Sequence, residues 1–311
     1  MAGFVIRRVL ASIVVLFFVI FATFALLRGA GGDPFRPPEG YAAPPIPLQN
    51  ELRAYYNLDE PWFVEFLTYL REIATLHFGP SLVSRDVTVD LVLRSTFPTT
   101  MKLVALAAAW AIPLGMALGV LAARRQGTKV DVLATSIASV LLAIPVFYVA
   151  YIAVTYLARD WGLIPYGWEE GWTSQIAPSI VLALAPMGYI ARLVRAAVVQ
   201  TLEQDYVLTA RAKGLYESQI LWSHVLRNSL VPFLSAAMPM LALLITGALF
   251  VEQFFGIPGA ASAFLDAART RDYPMLLGLT TALATVVLAT NLAADILLAY
   301  IDPRLREPAG A

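Results

Sequence analysis

Two histidines, His77 and His224, and no cysteine occur among the 311 residues. Thiolate nucleophiles, zinc-finger sites and iron–sulfur clusters therefore have no ligands here, and a histidine-rich metal site lacks its donors. A phosphate-binding loop needs Gly-x-x-x-x-Gly-Lys-Ser/Thr, and Lys102, Lys129 and Lys213 all lack the glycine in front. An intramembrane hydrolase needs a nucleophile beside a base. Both histidines lie outside the apolar runs, and Gly79-Pro80-Ser81 is not a strand-to-helix elbow. No catalytic residue and no metal ligand is assigned. The polar groups left over are carboxylates at the edges of apolar sequence, Glu252 and Asp295. With the span-interrupting Pro145 they are the candidate gate or pathway residues, because ionisable groups and kinks within a membrane are default functional positions.

Hydrophobic residues make up 59% of the chain and charged residues 14%, against about 45–50% and about 25% in soluble domains. So much apolar surface does not fit inside one water-soluble domain of this length. The 22 basic and 22 acidic residues give no net field for nucleic acid. Six runs without charge remain: Val9–Leu27, Leu103–Ala123, Val132–Ala158, Gly171–Ala191, Asn228–Val251 and Tyr273–Ala294. Each is long enough to cross hydrocarbon as a helix, which satisfies its own backbone. The expected fold is an all-α polytopic membrane protein with six transmembrane helices, the fourth starting near Pro178. An even number of spans puts both termini on one side. Placing them in the cytoplasm leaves Arg7, Arg8, Arg124, Arg125, Lys129, Arg192, Arg195, Arg211, Lys213, Arg227, Arg304 and Arg306 inside. Only Arg159, Arg269 and Arg271 then fall in the short outer loops, so basic residues fix that orientation. Arg7-Arg8 before the first run is read as the flank of a retained span, since no small-residue cleavage site follows.

The chain divides into a first span at 1–28, an extracytoplasmic segment at 29–97 and a five-span core at 98–311. In the extracytoplasmic segment, Gly29–Pro47 is expected to be irregular. Asp59 is expected to cap a helix whose residues Trp62, Phe63, Phe66, Leu67, Leu70 and Ile73 share one apolar face, ending at His77. Trp161, Tyr166, Trp168 and Trp172 suit an interfacial belt. Between the fourth and fifth spans lies a cytoplasmic loop, 199–232, with periodicity of its own. Thr201 and Gln204 read as a capping box. Gly214 sits where a left-handed cap ends one helix, and a second begins near Glu217-Ser218, presenting Ile220, Leu221, Trp222, Val225 and Leu226. Exposed apolar surface on such an elbow marks an interaction site.

Asp205-Tyr206-Val207-Leu208-Thr209-Ala210-Arg211-Ala212-Lys213-Gly214-Leu215 closely resembles the inner-membrane permease signature of ABC importers for dipeptides, oligopeptides and nickel. His224–Pro232 is similar to its continuation. The resemblance extends over Leu52–Pro61, Phe78–Ser81, Phe97–Thr100, Val251–Gly259, Arg271–Pro274 and Asp302–Arg304, and is closest to the subunit with a long first outer loop. One departure is Leu208-Thr209-Ala210 where the wider superfamily has Glu-Ala-Ala.

The resemblance implies a type I ABC importer permease fold in a prokaryotic cell membrane. It also implies a second homologous permease forming a heterodimer, two ATP-binding subunits holding ATP and Mg, and an external substrate-binding protein. It places the ATPase-coupling loop on Asp205, Thr209, Ala210, Arg211, Ala212, Lys213, Gly214, Leu215 and Glu217. A rigid elbow seated on an ATPase would carry its motion to the spans. The small Ala210 and Ala212 would permit close approach, and Arg211 and Lys213 would meet acidic edges or lipid headgroups. The expected cargo is a dipeptide or oligopeptide; nickel, glutathione or haem is the alternative within the family. A secondary transporter would need buried ion-coupling carboxylates and internal repeats, and neither stands out.

Overall fold

Residues 2–29, 33–35, 43–84, 86–168, 171–221, 223, 240 and 244–301 are described in the computed structural model of the chain. The segments His224–Pro232 and Asp302–Arg304, with Trp222, Val225, Leu226 and Pro239, lie outside them. Among the described residues the architecture is helical, without a strand. The helices are α1 Ala2–Gly29, α2 Ile46–Tyr56, α3 Trp62–Thr75, α4 Val89–Arg124, α5 Lys129–Ala143, α6 Val146–Ile152 (continuing as a π-helix over Ala153–Asp160), α7 Trp172–Leu202, α8 Asp205–Ala212, α9 Glu217–Gln219, α10 Leu244–Phe255, α11 Ala260–Thr270 and α12 Tyr273–Ile301.

Four helices, α1, α4, α7 and α12, are each long and apolar enough to cross a membrane, and two bent pairs raise the number to six. Helix α4 has 36 residues, about 54 Å at 1.5 Å per residue, so it extends well beyond an apolar core of about 30 Å. The third run is not one rod. Its axis turns by 90° between α5 and α6, because the residue before a proline is pushed out of the helical region. Ile144 has ψ 123° and Pro145 ψ 132°. The second bent pair, α10 and α11, turns by 77° after Gly256, whose φ is +67°.

Several expected boundaries move. Helix α7 starts at Trp172 rather than near Pro178, which lies inside it as its seventh residue and so removes one bond of the helical ladder. Helix α2 starts at Ile46, inside the stretch expected to be irregular, with proline at its first turn. Asp59 does not cap α3. Pro61 occupies that position, and Asp59 instead pairs with Arg53 at 3.3 Å. Thr201 forms no capping box: it lies in the last turn of α7 and its Oγ1 donates to the Ala197 carbonyl at 2.7 Å.

The chain forms two compact units. One comprises Met1–Val5, Lys102–Gly256 and Thr290–Ala311; the other comprises Ile6–Met101 and Ile257–Ala289. Glycines make the first unit dense. A β-carbon on Gly115 or Gly119 of α4 would lie 2.8 Å or 2.5 Å from carbonyls of α7, and one on Gly188 of α7 only 2.4 Å from the Ala138 carbonyl of α5. Small residues four apart let membrane helices approach in this way. In the second unit α2 and α3 pack on α1 and the start of α12, burying Phe24, Leu52, Tyr56, Phe66, Tyr69, Leu82 and Leu277. Phe66 is buried and Leu70 and Ile73 half-buried, as the stripe predicts, whereas Trp62, Phe63 and Leu67 are exposed. The buried Asp272 carboxylate accepts bonds from Ser81 Oγ, from the Leu82 amide at 3.2 Å and from the Met275 amide at 3.3 Å. Burial nevertheless raises its pKa.

Candidate functional site

The elbow after α7 is a short helical hairpin. Gln204 is extended and starts α8, whose first residue is Asp205; Thr209 Oγ1 donates back to the Asp205 carbonyl. The helix stops at Lys213, and Gly214 follows with φ +79°, a left-handed conformation that suits glycine. The Gly214 amide bonds the Arg211 carbonyl at 2.9 Å and the Leu215 amide reaches the Ala210 carbonyl at 3.3 Å. Tyr216 then starts α9. A fork of two bonds closes the turn: Arg211 Nε to Glu217 Oε1 at 2.7 Å and Nη2 to Oε2 at 3.3 Å. The guanidinium holds the Glu217 carboxyl below its ordinary range.

Burial divides the hairpin into two faces. Val207, Ala210, Ile220 and Leu221 are buried and anchor it, while Tyr206, Leu208, Leu215 and Tyr216 are exposed. Asp205, Thr209, Arg211, Ala212, Lys213, Gly214 and Glu217 lie on the exposed side as well. Ala210 is buried with Val207, and Arg211 pairs with Glu217 within the chain.

The gate candidates sit on separate elements. Pro145 stands at the 90° bend, Glu252 is fully buried in α10, and Asp295 is half-buried in α12. Beyond Glu252, the Gly167 amide bonds the Phe255 carbonyl at 3.1 Å, tying the aromatic loop to the end of α10. Trp168 of that loop lies 6.0 Å from Lys102 Nζ.

The structure adds a pair that the charge pattern hides. Arg195 of α7 grips Asp131 of α5 with two bonds, Nε–Oδ1 at 2.6 Å and Nη2–Oδ2 at 2.8 Å. The Gly127 amide and the Thr135 hydroxyl complete the carboxylate's partners. In the sequence Arg195 reads as a topology charge, and Asp131 is not singled out. The available signal was Asp131, an acidic group in the first turn of a span, which requires a partner.

Comparison with known proteins accounts for nearly the whole chain. Residues 115–307 match the family model described as binding-protein-dependent transport system inner membrane component, and residues 1–104 match the N-terminal model of the same membrane components. The dipeptide transport system permease protein of Bacillus subtilis is 34% identical over 98% of this chain and 98% of its own length. The oligopeptide transport system permease protein of Haemophilus influenzae is 35% identical over 98% of this chain and all of its own, as is that of Escherichia coli. Among solved structures, an inward-facing methionine ABC transporter aligns with a TM-score of 0.56 at 17% identity, over 68% of this chain and 97% of that one. An amino acid ABC transporter aligns with a TM-score of 0.51 at 18% identity, over 68% and 94%. These two share the fold.

Proposed function

Because the chain belongs to the family of binding-protein-dependent transport system inner membrane components, it is a membrane-embedded transport component, and we propose that dipeptides or oligopeptides are its cargo. The observation that supports this cargo is sustained identity of 34–35% to dipeptide and oligopeptide permeases, end to end. In this reading ATP and Mg are held by two partner subunits. A second homologous permease completes the pathway, and an external binding protein delivers the peptide. Both termini and the α8–α9 hairpin face the cytoplasm, as the basic residues require.

The hairpin's exposed side, with Tyr206, Leu208, Leu215 and Tyr216, is the surface that meets an ATPase. Its buried anchors, Val207, Ala210, Ile220 and Leu221, seat it on the rest of its unit, so that a displacement of the hairpin is carried into α7. Closure of the ATPases on ATP then biases a two-state bundle between outward and inward openings. Pro145 marks the place where the third span already bends.

The test is co-expression with an ATPase pair, a second permease and a binding protein from the same genome, purification, and reconstitution in vesicles. ATP turnover should rise when peptide-loaded binding protein is added, and peptide should accumulate. Solute uptake by the isolated chain on an ion gradient would overturn the proposal.

A further inference from the structure

We propose that a cavity in the second unit, where the end of α1, the α2–α3 pair and the start of α12 meet, binds the headgroup of a zwitterionic phospholipid with a primary ammonium. The cavity has a volume of about 480 Å3, within the range of about 300–1,000 Å3 typical of small-molecule sites.

Its level in the membrane follows from the chain. Arg28 is the first charge after the uncharged run Val9–Leu27, and Tyr273 begins the apolar helix α12. Both line the cavity, with Phe24 and Leu277 one turn toward the hydrocarbon side. The site therefore lies where headgroups lie, whichever face of the membrane that is.

Its charges are balanced. Arg28 pairs with Glu65, and Arg53 pairs with Asp33 at 2.8 Å. A simple anion or cation would meet an opposing charge of its own sign; a zwitterion can engage both pairs at once. Glu65 is 6% exposed, and burial raises its pKa even beside Arg28, so an added ammonium would relieve it. Tyr69 lines the same cavity, and its buried hydroxyl has no hydrogen-bond partner among the described residues. Unpaired buried hydroxyls are unfavourable and mark a missing ligand or water. A phosphate oxygen on Tyr69 and the two arginines, with the ammonium on Glu65 and Asp33, satisfies every group.

A path for the acyl chains is present. Phe21 of α1 contacts Trp62 and Phe66 of α3, with ring centroids 6.5 Å and 5.4 Å apart, and Trp62, Phe63 and Leu67 are exposed. An exposed apolar flank joined to a spanning helix favours a lipid over a free zwitterionic solute such as a dipeptide.

The experiment measures lipid retained by the full-length protein, by native mass spectrometry after extraction from vesicles containing equal phosphatidylethanolamine and phosphatidylcholine. One phosphatidylethanolamine per chain is expected, preferred about tenfold, since a quaternary ammonium donates no N–H bond. Tyr69→Phe, which removes one hydroxyl, and Glu65→Gln should each weaken retention about tenfold. Tyr69→Phe should leave the melting temperature unchanged, which separates ligand loss from misfolding. Equal retention of both lipids, or unchanged retention in Tyr69→Phe, overturns the proposal. So does displacement of the lipid by millimolar dialanine, which would make the site one for a solute.

Discussion

Replacing Gly214 separates two ways in which the hairpin could act. Its φ of +79° is left-handed, and a residue with a β-carbon is penalised there by about 1–2 kcal/mol. Asparagine tolerates this region better than alanine. A β-carbon built on Gly214 meets nothing within 4 Å, so the chain itself does not resist a side chain sterically. The Arg211–Glu217 fork is solvent-exposed on both sides, and exposed pairs contribute only about 0.2–1 kcal/mol, too little to hold the turn against the strain. Gly214→Ala should therefore reduce the population of the turned hairpin by a factor of about 5–30, and Gly214→Asn by less. Because Val207 and Ile220 stay buried, the spans should melt at the wild-type temperature in both. The assay is peptide-stimulated ATP turnover of the reconstituted complex relative to its basal rate, with coupling expected to fall in the order glycine, asparagine, alanine. Wild-type coupling in Gly214→Ala refutes the need for this turn. Asparagine worse than alanine would mean that side-chain volume against the partner, rather than backbone geometry, decides the outcome.

Three further outcomes follow from the packing and the charges. Arg195→Ala and Asp131→Ala should each lower the melting temperature, by less than the loss of a fully buried pair would because the Arg195 side chain is 31% exposed; additive effects in a double-mutant cycle of melting temperatures would refute the coupling of the two residues. Gly188→Ala drives a β-carbon to 2.4 Å from the Ala138 backbone, whereas Gly247→Ala meets only the end of the Leu182 side chain at 3.0 Å; the first should cost about 1–3 kcal/mol and the second clearly less, as read from thermal unfolding in detergent. In the second unit burial pushes Glu72 up from 4.5 to about 7 and raises Glu65 and Asp272 in the same direction. A carboxyl that binds its proton more tightly when folded stabilises at low pH, and the contribution is lost as pH rises from 4.5 through about 7. For Glu72 the full difference would be about 3 kcal/mol, reduced to about 1–2 by its partial exposure. The melting temperature should therefore fall between pH 5 and 7.5, and less so in Glu72→Gln; a flat or rising profile in the unaltered protein contradicts the assignment.

The spans were legible because hydrocarbon imposes a rule on composition itself: any charge must be absent or partnered. Runs without charge therefore appear directly in the sequence, and the stop at Gly214 is legible because few residues other than glycine reverse the backbone sign. What stayed hidden depends on distance through space. Asp131 and Arg195 are 64 positions apart; Arg195 taken singly looks like a charge placed for orientation, and nothing in the sequence joins it to Asp131. Ala210 carries no mark that it turns inward while Ala212, two residues on, is exposed; only the burial of Val207 and Ile220 around it decides that. The proline pair around Ile46 reads as loop because the same residue that forbids a helix interior suits a first turn, and sequence alone does not say which side of it the helix lies on.

The same asymmetry explains how the polar groups are distributed. Two carboxylates meet a counter-charge on a different helix, Asp131 with Arg195 across α5 and α7 and Glu65 with Arg28 across α3 and α1, whereas the buried Asp272 is held by a hydroxyl and two amides. Each such pair ties two helices together, so relative motion of those helices would separate the two charges. The hairpin's pair is different, because Arg211 and Glu217 are six residues apart in one exposed turn, and moving the turn as a whole leaves it intact. The Arg195–Asp131 pair, in contrast, makes α5 and α7 move together.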